Sequence, residues 1–197
     1  RKWREALSSD ELRFFLLVVT GATILIAIDI APLYTSIWES LRYSVFQVAS
    51  IISTTGFATA DFVLWPHFSQ TILVLLMFCG ACAGSTGGGI KCSRVLILLR
   101  SIRREIHRVI HPRSVEVVKL DGKVVEEDTL RSISVFVGSY LFIILAATLI
   151  ISLDDFPFSV SFSSALTCIS NVGPGLELVG PTGNFSAFSH LSKIVMS

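Results

Sequence analysis

The sequence predicts an all-α membrane protein in which spans alternate with short re-entrant loops. Three observations carry that reading. Hydrophobic residues make up 52% of the chain and charged residues 16%, with a mean hydropathy of +0.71, and the apolar residues come in long runs. The apolar stretch Ser44 to Ile52, too short to span a bilayer, ends in Ser53-Thr54-Thr55-Gly56-Phe57. Much later a second short stretch, Val160 to Ile169, ends in Ser170-Asn171-Val172-Gly173-Pro174-Gly175. Setting Thr54-Thr55-Gly56 over Asn171-Val172-Gly173 aligns the glycines and places a serine before each triplet. Irregular backbone at membrane depth survives only when buried in protein or facing a water-filled cavity. Carbonyls freed there can replace the hydration shell of a cation.

The first span is expected from Leu12 to about Trp38, with Pro32, Tyr34 and Trp38 at its interfacial exit. A basic cluster, Arg1-Lys2-Trp3-Arg4 with Arg13, precedes it. Asp29, near its far end, is either close to the outer interface or facing a cavity, and the interface is the favoured place. The first re-entrant segment follows. Trp65, Pro66 and His67 then mark the entry of a second span, Phe68 to about Leu99.

That second span is interrupted over Phe78-Cys79-Gly80-Ala81-Cys82-Ala83-Gly84-Ser85-Thr86-Gly87-Gly88-Gly89, followed closely by Lys91. Each glycine inside a helix costs roughly 1 kcal/mol against alanine, so three in a row predict a broken helix with an internal loop. Breaks of this kind sit where substrates pass. The alternative is that the small residues serve only close helix packing.

Lys91 to Arg131 is polar and basic, which makes it cytoplasmic by the positive-inside rule, as is the N-terminal cluster. Within it, Val115 to Val125, with Asp121-Gly122 between β-branched residues, predicts a small hairpin. Leu130 to Leu153 is the third span, closed outside by Asp154-Asp155 and Pro157. After the second re-entrant segment, Gly180-Pro181-Thr182-Gly183 predicts a turn, and Phe185 to Ser197 reads as the beginning of another span. The domains expected are a repeat over 1–99, a cytoplasmic linker over 100–128 and a second, incomplete repeat over 129–197. The charged start, Arg1 to Arg13, shows no cleavable signal peptide and looks like an interior piece of a longer chain.

Other chemistries find little support. The net charge of +1 argues for no nucleic-acid partner, because the basic residues cluster by membrane side. Cys79, Cys82, Cys92 and Cys168 lie in or beside apolar segments and read as small packing side chains, although Cys79-Gly-Ala-Cys82 has C-x-x-C spacing. His67, His107, His111 and His190 show no metal-ligand spacing, and no Ser/His/Asp set presents itself. A phosphate loop at Gly84 to Lys91 fails, because Ile90 separates the last glycine from the lysine and Cys92 stands where Ser or Thr is needed. An enzyme is therefore not expected, and a nucleotide-binding one is the remote alternative. A broken-helix cation symporter with alternating access, coupled to sodium or protons, accounts equally well for the glycine-rich break. It does not predict two short re-entrant helices ending in glycine.

Taken together, Ser53-Thr54-Thr55-Gly56-Phe57-Ala58, Gly84-Ser85-Thr86-Gly87-Gly88-Gly89-Ile90-Lys91 and Ser170-Asn171-Val172-Gly173-Pro174-Gly175 resemble the Trk/Ktr/HKT potassium transporter superfamily, most closely its bacterial TrkH-type subunits. In that family four span–pore-loop–span repeats, related to potassium channels, surround one pore. This chain looks like the third repeat and most of the fourth. The resemblance implies a potassium filter to which Thr54, Thr55, Gly56, Asn171, Val172 and Gly173 contribute. It also implies a gate formed by the intramembrane loop Gly84, Ser85, Thr86, Gly87, Gly88 and Gly89 with Lys91. Potassium would be substrate, held at the filter residues only, with no cofactor. The implied partners are membrane lipid, a second copy in a homodimer and a cytoplasmic nucleotide-binding regulatory subunit of TrkA type. The implied location is the bacterial inner membrane. The departure from the family is incompleteness: two repeats and the rest of the last span are missing from this sequence.

Overall fold

The computed structural model describes residues 9–111 and 116–197. The basic cluster Arg1 to Arg4 and the start of the expected hairpin at Val115 lie outside the described residues. Helix α1 (Asp10–Ile30) is followed by α2 (Ile37–Ile52), α3 (His67–Phe78) and α4 (Cys92–Ile110). After a small hairpin come α5 (Glu127–Ile151), α6 (Phe158–Ile169) and α7 (His190–Met196). Among the described residues two segments are long and apolar enough to cross a membrane, Asp10–Leu33 and Glu127–Asp154, each with a mean hydropathy of 2.4.

The first span stops earlier than Trp38. Pro32 sits in a single-turn 3-10 helix (Ala31–Leu33) that ends α1, and Ser36 begins a new helix by accepting the Trp38 amide on its Oγ at 3.3 Å. Trp38 therefore belongs to α2. That helix has 16 residues, longer than the stretch from Ser44 that hydropathy marks, because its first turns carry Glu39 and Arg42. Its buried hydroxyls are tolerated because they fold back on the helix: Ser44 Oγ donates to the Ser40 carbonyl at 2.8 Å. Asp29 accepts from the amide and hydroxyl of Ser69 at 3.2 and 2.6 Å, which caps the N-terminus of α3 from the end of α1.

Helix α4 runs unbroken through Leu99 and Arg100 to Ile110, so the boundary drawn there falls inside a helix. The sequence between Lys91 and Arg131 reads as polar because this helix is amphipathic, with Leu99, Ile102, Ile106 and Val109 among four arginines at 100, 103, 104 and 108. Arg104 bonds Glu127 at 2.6 Å and Glu105 at 3.1 Å, and the Glu127 carboxylate holds its guanidinium above the usual range. The hairpin pairs Lys119–Leu120 with Lys123–Val124. Asp121 and Gly122 both have positive φ, 49° and 76°, the requirement of a tight two-residue turn between twisted strands. Asp121 is also structural: its Oδ1 accepts the Asp10 amide at 2.6 Å and so caps α1.

The main core joins Ile26 and Ile30 of α1, Val48, Ile51 and Ile52 of α2, Leu73 and Met77 of α3, and Tyr140 and Ile144 of α5. Leu166 and Val172, from the second re-entrant segment, are buried in the same cluster. A smaller cluster gathers Ala147, Ile151, Val160, Ala165, Val179 and Phe188 around α6. The C-terminal ends of α2 and α6 are thereby tied into one core, each leading into a turn.

Candidate functional site

Each short helix ends in the same backbone turn. Ser53 and Ser170 close their helices through amide bonds to Ala49 and Leu166 carbonyls at 3.1 and 2.9 Å. Thr54 and Asn171 then turn left-handed, with φ of 55° and 54°. Their amides reach back to the Ile51 and Cys168 carbonyls at 3.0 and 3.1 Å. The next amides, Thr55 and Val172, bond the Ser50 and Thr167 carbonyls, both at 2.9 Å. The glycines follow, with φ of 77° at Gly56 and 110° at Gly173. Asparagine visits this region with modest cost, whereas a β-branched threonine there is an outlier of the kind that concentrates at functional sites.

The two turns touch. A Cβ on Gly56 would stand 2.1 Å from the Val172 carbonyl oxygen, so the close approach requires glycine independently of its φ. Gly173 is different: nothing lies nearer than the Gly56 Cα at 4.0 Å, and only its backbone angle calls for glycine. Val172 is buried, while Thr55, at the matching position, is exposed.

The glycine-rich stretch lies across the start of both turns. The strand Cys79–Gly80 pairs in parallel with Ile90–Lys91, so the chain leaves α3, makes an excursion through 81–89, and resumes the same direction into α4. At the tip of the excursion, a Cβ on Gly87 would stand 3.0 Å from Thr54 Oγ1, and one on Gly88 would stand 1.9 Å from the Ser170 carbonyl oxygen. The Gly88 amide donates to Thr54 Oγ1 at 3.1 Å. Gly87 and Gly88 are therefore brought against the residues expected to line the filter. Gly84, Ser85 and Thr86 are exposed, and nothing lies within 4 Å of a Cβ on Gly84.

Lys91 holds this excursion from inside. Its Nζ donates to the Ser85 carbonyl at 2.9 Å, to Ser85 Oγ at 3.1 Å and to the Gly87 carbonyl. Glu11 holds it from outside, its Oε1 accepting the Ala83 amide at 2.6 Å and the Ser93 amide at 3.1 Å. The C-x-x-C spacing points to the wrong neighbour. Cys79 Sγ lies 3.6 Å from Cys92 Sγ, which donates to the Gly80 carbonyl at 3.1 Å and packs the base of the excursion. All four cysteines are free thiols, and among the described residues no three His, Cys, Asp or Glu gather as metal ligands.

On the opposite side of the turns a cavity of about 610 Å³ opens, lined by Gly56 to Asp61, Gly173, Pro174 and the 180–183 turn. Asp61 spans its rim, accepting from the Val63 amide at 3.1 Å and from Thr182 Oγ1 at 3.2 Å. The cavity borders the ends of the two touching turns, and the glycine excursion borders their starts.

Sequence reasoning missed four residues. Ser50 and Thr167 donate their hydroxyls to the Phe57 and Pro174 carbonyls at 2.5 and 3.1 Å. Extending the alignment of the two turns backwards would have set one hydroxyl over the other. Tyr140, which shares a 2.6 Å hydrogen bond with Ser170, and Glu11 leave no local signal, because their partners lie 30 and 72 residues away.

The helical bundle, its two apolar spans and its two short helices ending in paired left-handed turns give an all-helical architecture of the kind that membrane proteins use. The comparisons name its family. The TrkH family, described as cation transport protein, matches residues 6–197. The Trk system potassium uptake protein TrkH of Salmonella typhimurium strain LT2 is 34% identical over 83% of this chain and 34% of its own length. The potassium uptake protein TrkG of Escherichia coli strain K12 is 33% identical over 94% of this chain and 38% of its own. The crystal structure of the potassium transporter TrkH from Vibrio parahaemolyticus superposes with a TM-score of 0.84 at 29% identity, over 95% of this chain and 40% of that one. The chain belongs to the TrkH family of cation transport proteins. It spans about a third of the length of the curated relatives it matches.

Proposed function

We propose that this chain forms part of a potassium uptake pore, contributing two of the segments that surround it. The observation that carries the reading is the pair of matched left-handed turns at the ends of α2 and α6, which meet at Gly56 and Val172. Each helix directs the negative end of its dipole toward its turn, which favours a cation there. Thr54, Thr55, Gly56, Asn171, Val172 and Gly173 supply the carbonyls that replace the ion's water, and potassium is cargo at those residues. Two segments enclose only part of an ion, so further repeats complete the ring. The relatives, in which this chain covers about a third of the length, are potassium uptake proteins by name.

The excursion from Gly84 to Gly89 serves as the gate, lying across the passage on the side opposite the outer cavity. Lys91 tethers it through the Ser85 and Gly87 carbonyls. Transport needs no cofactor and no enzyme chemistry. The protein sits in the bacterial inner membrane, with the basic side of α4 and the hairpin cytoplasmic. It works as a homodimer there and meets a nucleotide-binding subunit of TrkA type at that face.

The test is ion selectivity in the full-length transporter carrying this sequence, reconstituted in liposomes. Gly173→Ser is expected to lower the ratio of potassium to sodium flux while the protein still inserts, since no neighbour obstructs the added side chain. An unchanged ratio would overturn the filter assignment.

A further inference from the structure

We infer that Ser50 and Thr167 are positioning residues for ion selection, each gripping its filter turn at two points. This rests on the filter reading above and deepens it. The carbonyl of each residue accepts the amide of the central filter residue, Thr55 or Val172, at 2.9 Å. The hydroxyl of the same residue donates to the carbonyl just beyond the filter glycine, on Phe57 at 2.5 Å and on Pro174 at 3.1 Å. One residue in the last turn of the helix thus closes a ring around the glycine in both copies.

The glycine is where such a grip matters. Glycine populates φ of either sign with similar ease, so the peptide on its C-terminal side is the least restrained part of the turn. Pinning the next carbonyl to the pore helix removes that freedom. The carbonyl keeps its second lone pair, so the grip fixes its direction without exhausting its capacity to accept. Ser50 and Thr167 are buried, 4% and 0% exposed, which keeps water from replacing either hydroxyl. The two copies use different residues, serine in one and threonine in the other, and share only the hydroxyl. What the site requires is a donor at that place, not a particular side-chain shape.

The experiment is the potassium-to-sodium flux ratio of the full-length transporter in liposomes, a quantity that does not depend on how much protein inserts. Ser50→Ala and Thr167→Val are each expected to lower the ratio about fivefold, the value of one neutral hydrogen bond. The exchanges Ser50→Thr and Thr167→Ser, which give each copy the other's hydroxyl, are expected to keep it near wild type. Ser50→Cys, nearly isosteric and a weak donor, is expected to fall between, and it serves if the larger changes do not insert. Wild-type ratios in the alanine, valine and cysteine variants alongside a lowered ratio in Gly173→Ser would overturn the grip and leave the filter standing. Equal losses in the hydroxyl-keeping exchanges would also overturn it, by showing that shape alone matters. A wild-type ratio in every variant, Gly173→Ser included, would overturn the filter reading itself.

Discussion

The segments formed by α2 and α6 with the turns that follow them share a backbone and a hydroxyl bond to it, and differ in much of what surrounds them. In the first, Ser53 and Thr55 are exposed, and the turn is braced from within: Ser53 Oγ bonds the Ala49 carbonyl at 2.6 Å and Thr55 Oγ1 at 2.7 Å. In the second, Ser170 and Val172 are buried, and the brace comes from outside through Tyr140 of α5. The glycines divide in the same way, Gly56 pressed against the neighbouring turn and Gly173 open. The turn is therefore set locally, by a helix end followed by a glycine. Beyond the hydroxyl that each helix lends its own turn, the bracing differs between the two, internal in the first and from α5 in the second.

The sharpest way to break this comparison is to give both glycines the same methyl group. Gly56→Ala meets a positive φ and a carbonyl oxygen at 2.1 Å, whereas Gly173→Ala meets only the positive φ. The left-handed conformation costs roughly 1–2 kcal/mol at either position. Overpacking adds about 1–3 kcal/mol at Gly56 alone. Potassium flux through the reconstituted full-length protein is expected to vanish in Gly56→Ala and to persist, with altered selectivity, in Gly173→Ala. Equal behaviour would mean that the contact between the turns opens at no cost.

Next in size is the tether of the excursion that both turns touch. Replacing all three glycines 87–89 by alanine would confuse two effects, because a Cβ on Gly88 collides with the Ser170 carbonyl oxygen at 1.9 Å. Lys91→Met removes the tether without adding bulk. Hydrogen bonds from a charged donor are worth about 1.5–3 kcal/mol, so the equilibrium between tethered and free forms is expected to shift by at least about tenfold. Single-channel or liposome flux recordings should then show a changed open fraction with an unchanged ion ratio. A wild-type open fraction would remove the excursion from the gating mechanism.

A smaller contrast concerns the braces. Tyr140→Phe leaves the buried Ser170 hydroxyl without its 2.6 Å partner, and a loss of about 1 kcal/mol in thermal stability is expected. Thr55→Val removes a bond at an exposed turn in which Ser53 keeps the Ala49 carbonyl, so its effect should be smaller. Melting curves of the purified variants decide the order, and a larger loss in Thr55→Val would reverse the assignment of inner and outer bracing.

The mildest substitutions test whether both segments face the same side. Cysteines at Thr59 and Leu178, exposed positions beyond the two turns, should react with an impermeant thiol reagent outside intact cells. A cysteine at Lys123 in the hairpin should not. Asp121 is a poor choice for this purpose, since it caps α1. Labelling at only one of the two outer positions would mean that the segments enter from opposite sides.

Much of the fold was legible because its signals are local. Pro157 before α6, the Asp121-Gly122 turn and the long apolar runs each act within a few residues, and the elements appear where those signals stand. The errors share one cause. Hydropathy carried the first span on to Trp38, past Pro32 and the Ser36 cap, and hid the polar first turns of α2. It also hid the continuation of α4 beyond Leu99, where arginines mask an apolar face.

What the sequence determined by itself is the repeated helix, turn and glycine, because helix termination and positive φ are decided by neighbouring residues along the chain. Tertiary structure alone decided which glycine is pressed by its neighbour, that Gly88 lies against Ser170, and that Glu11 and Tyr140 hold the excursion and the second turn. Those facts depend on how helices pack after they form. Contacts between groups far apart in the chain follow from the shapes of whole faces, and no short stretch of residues encodes them.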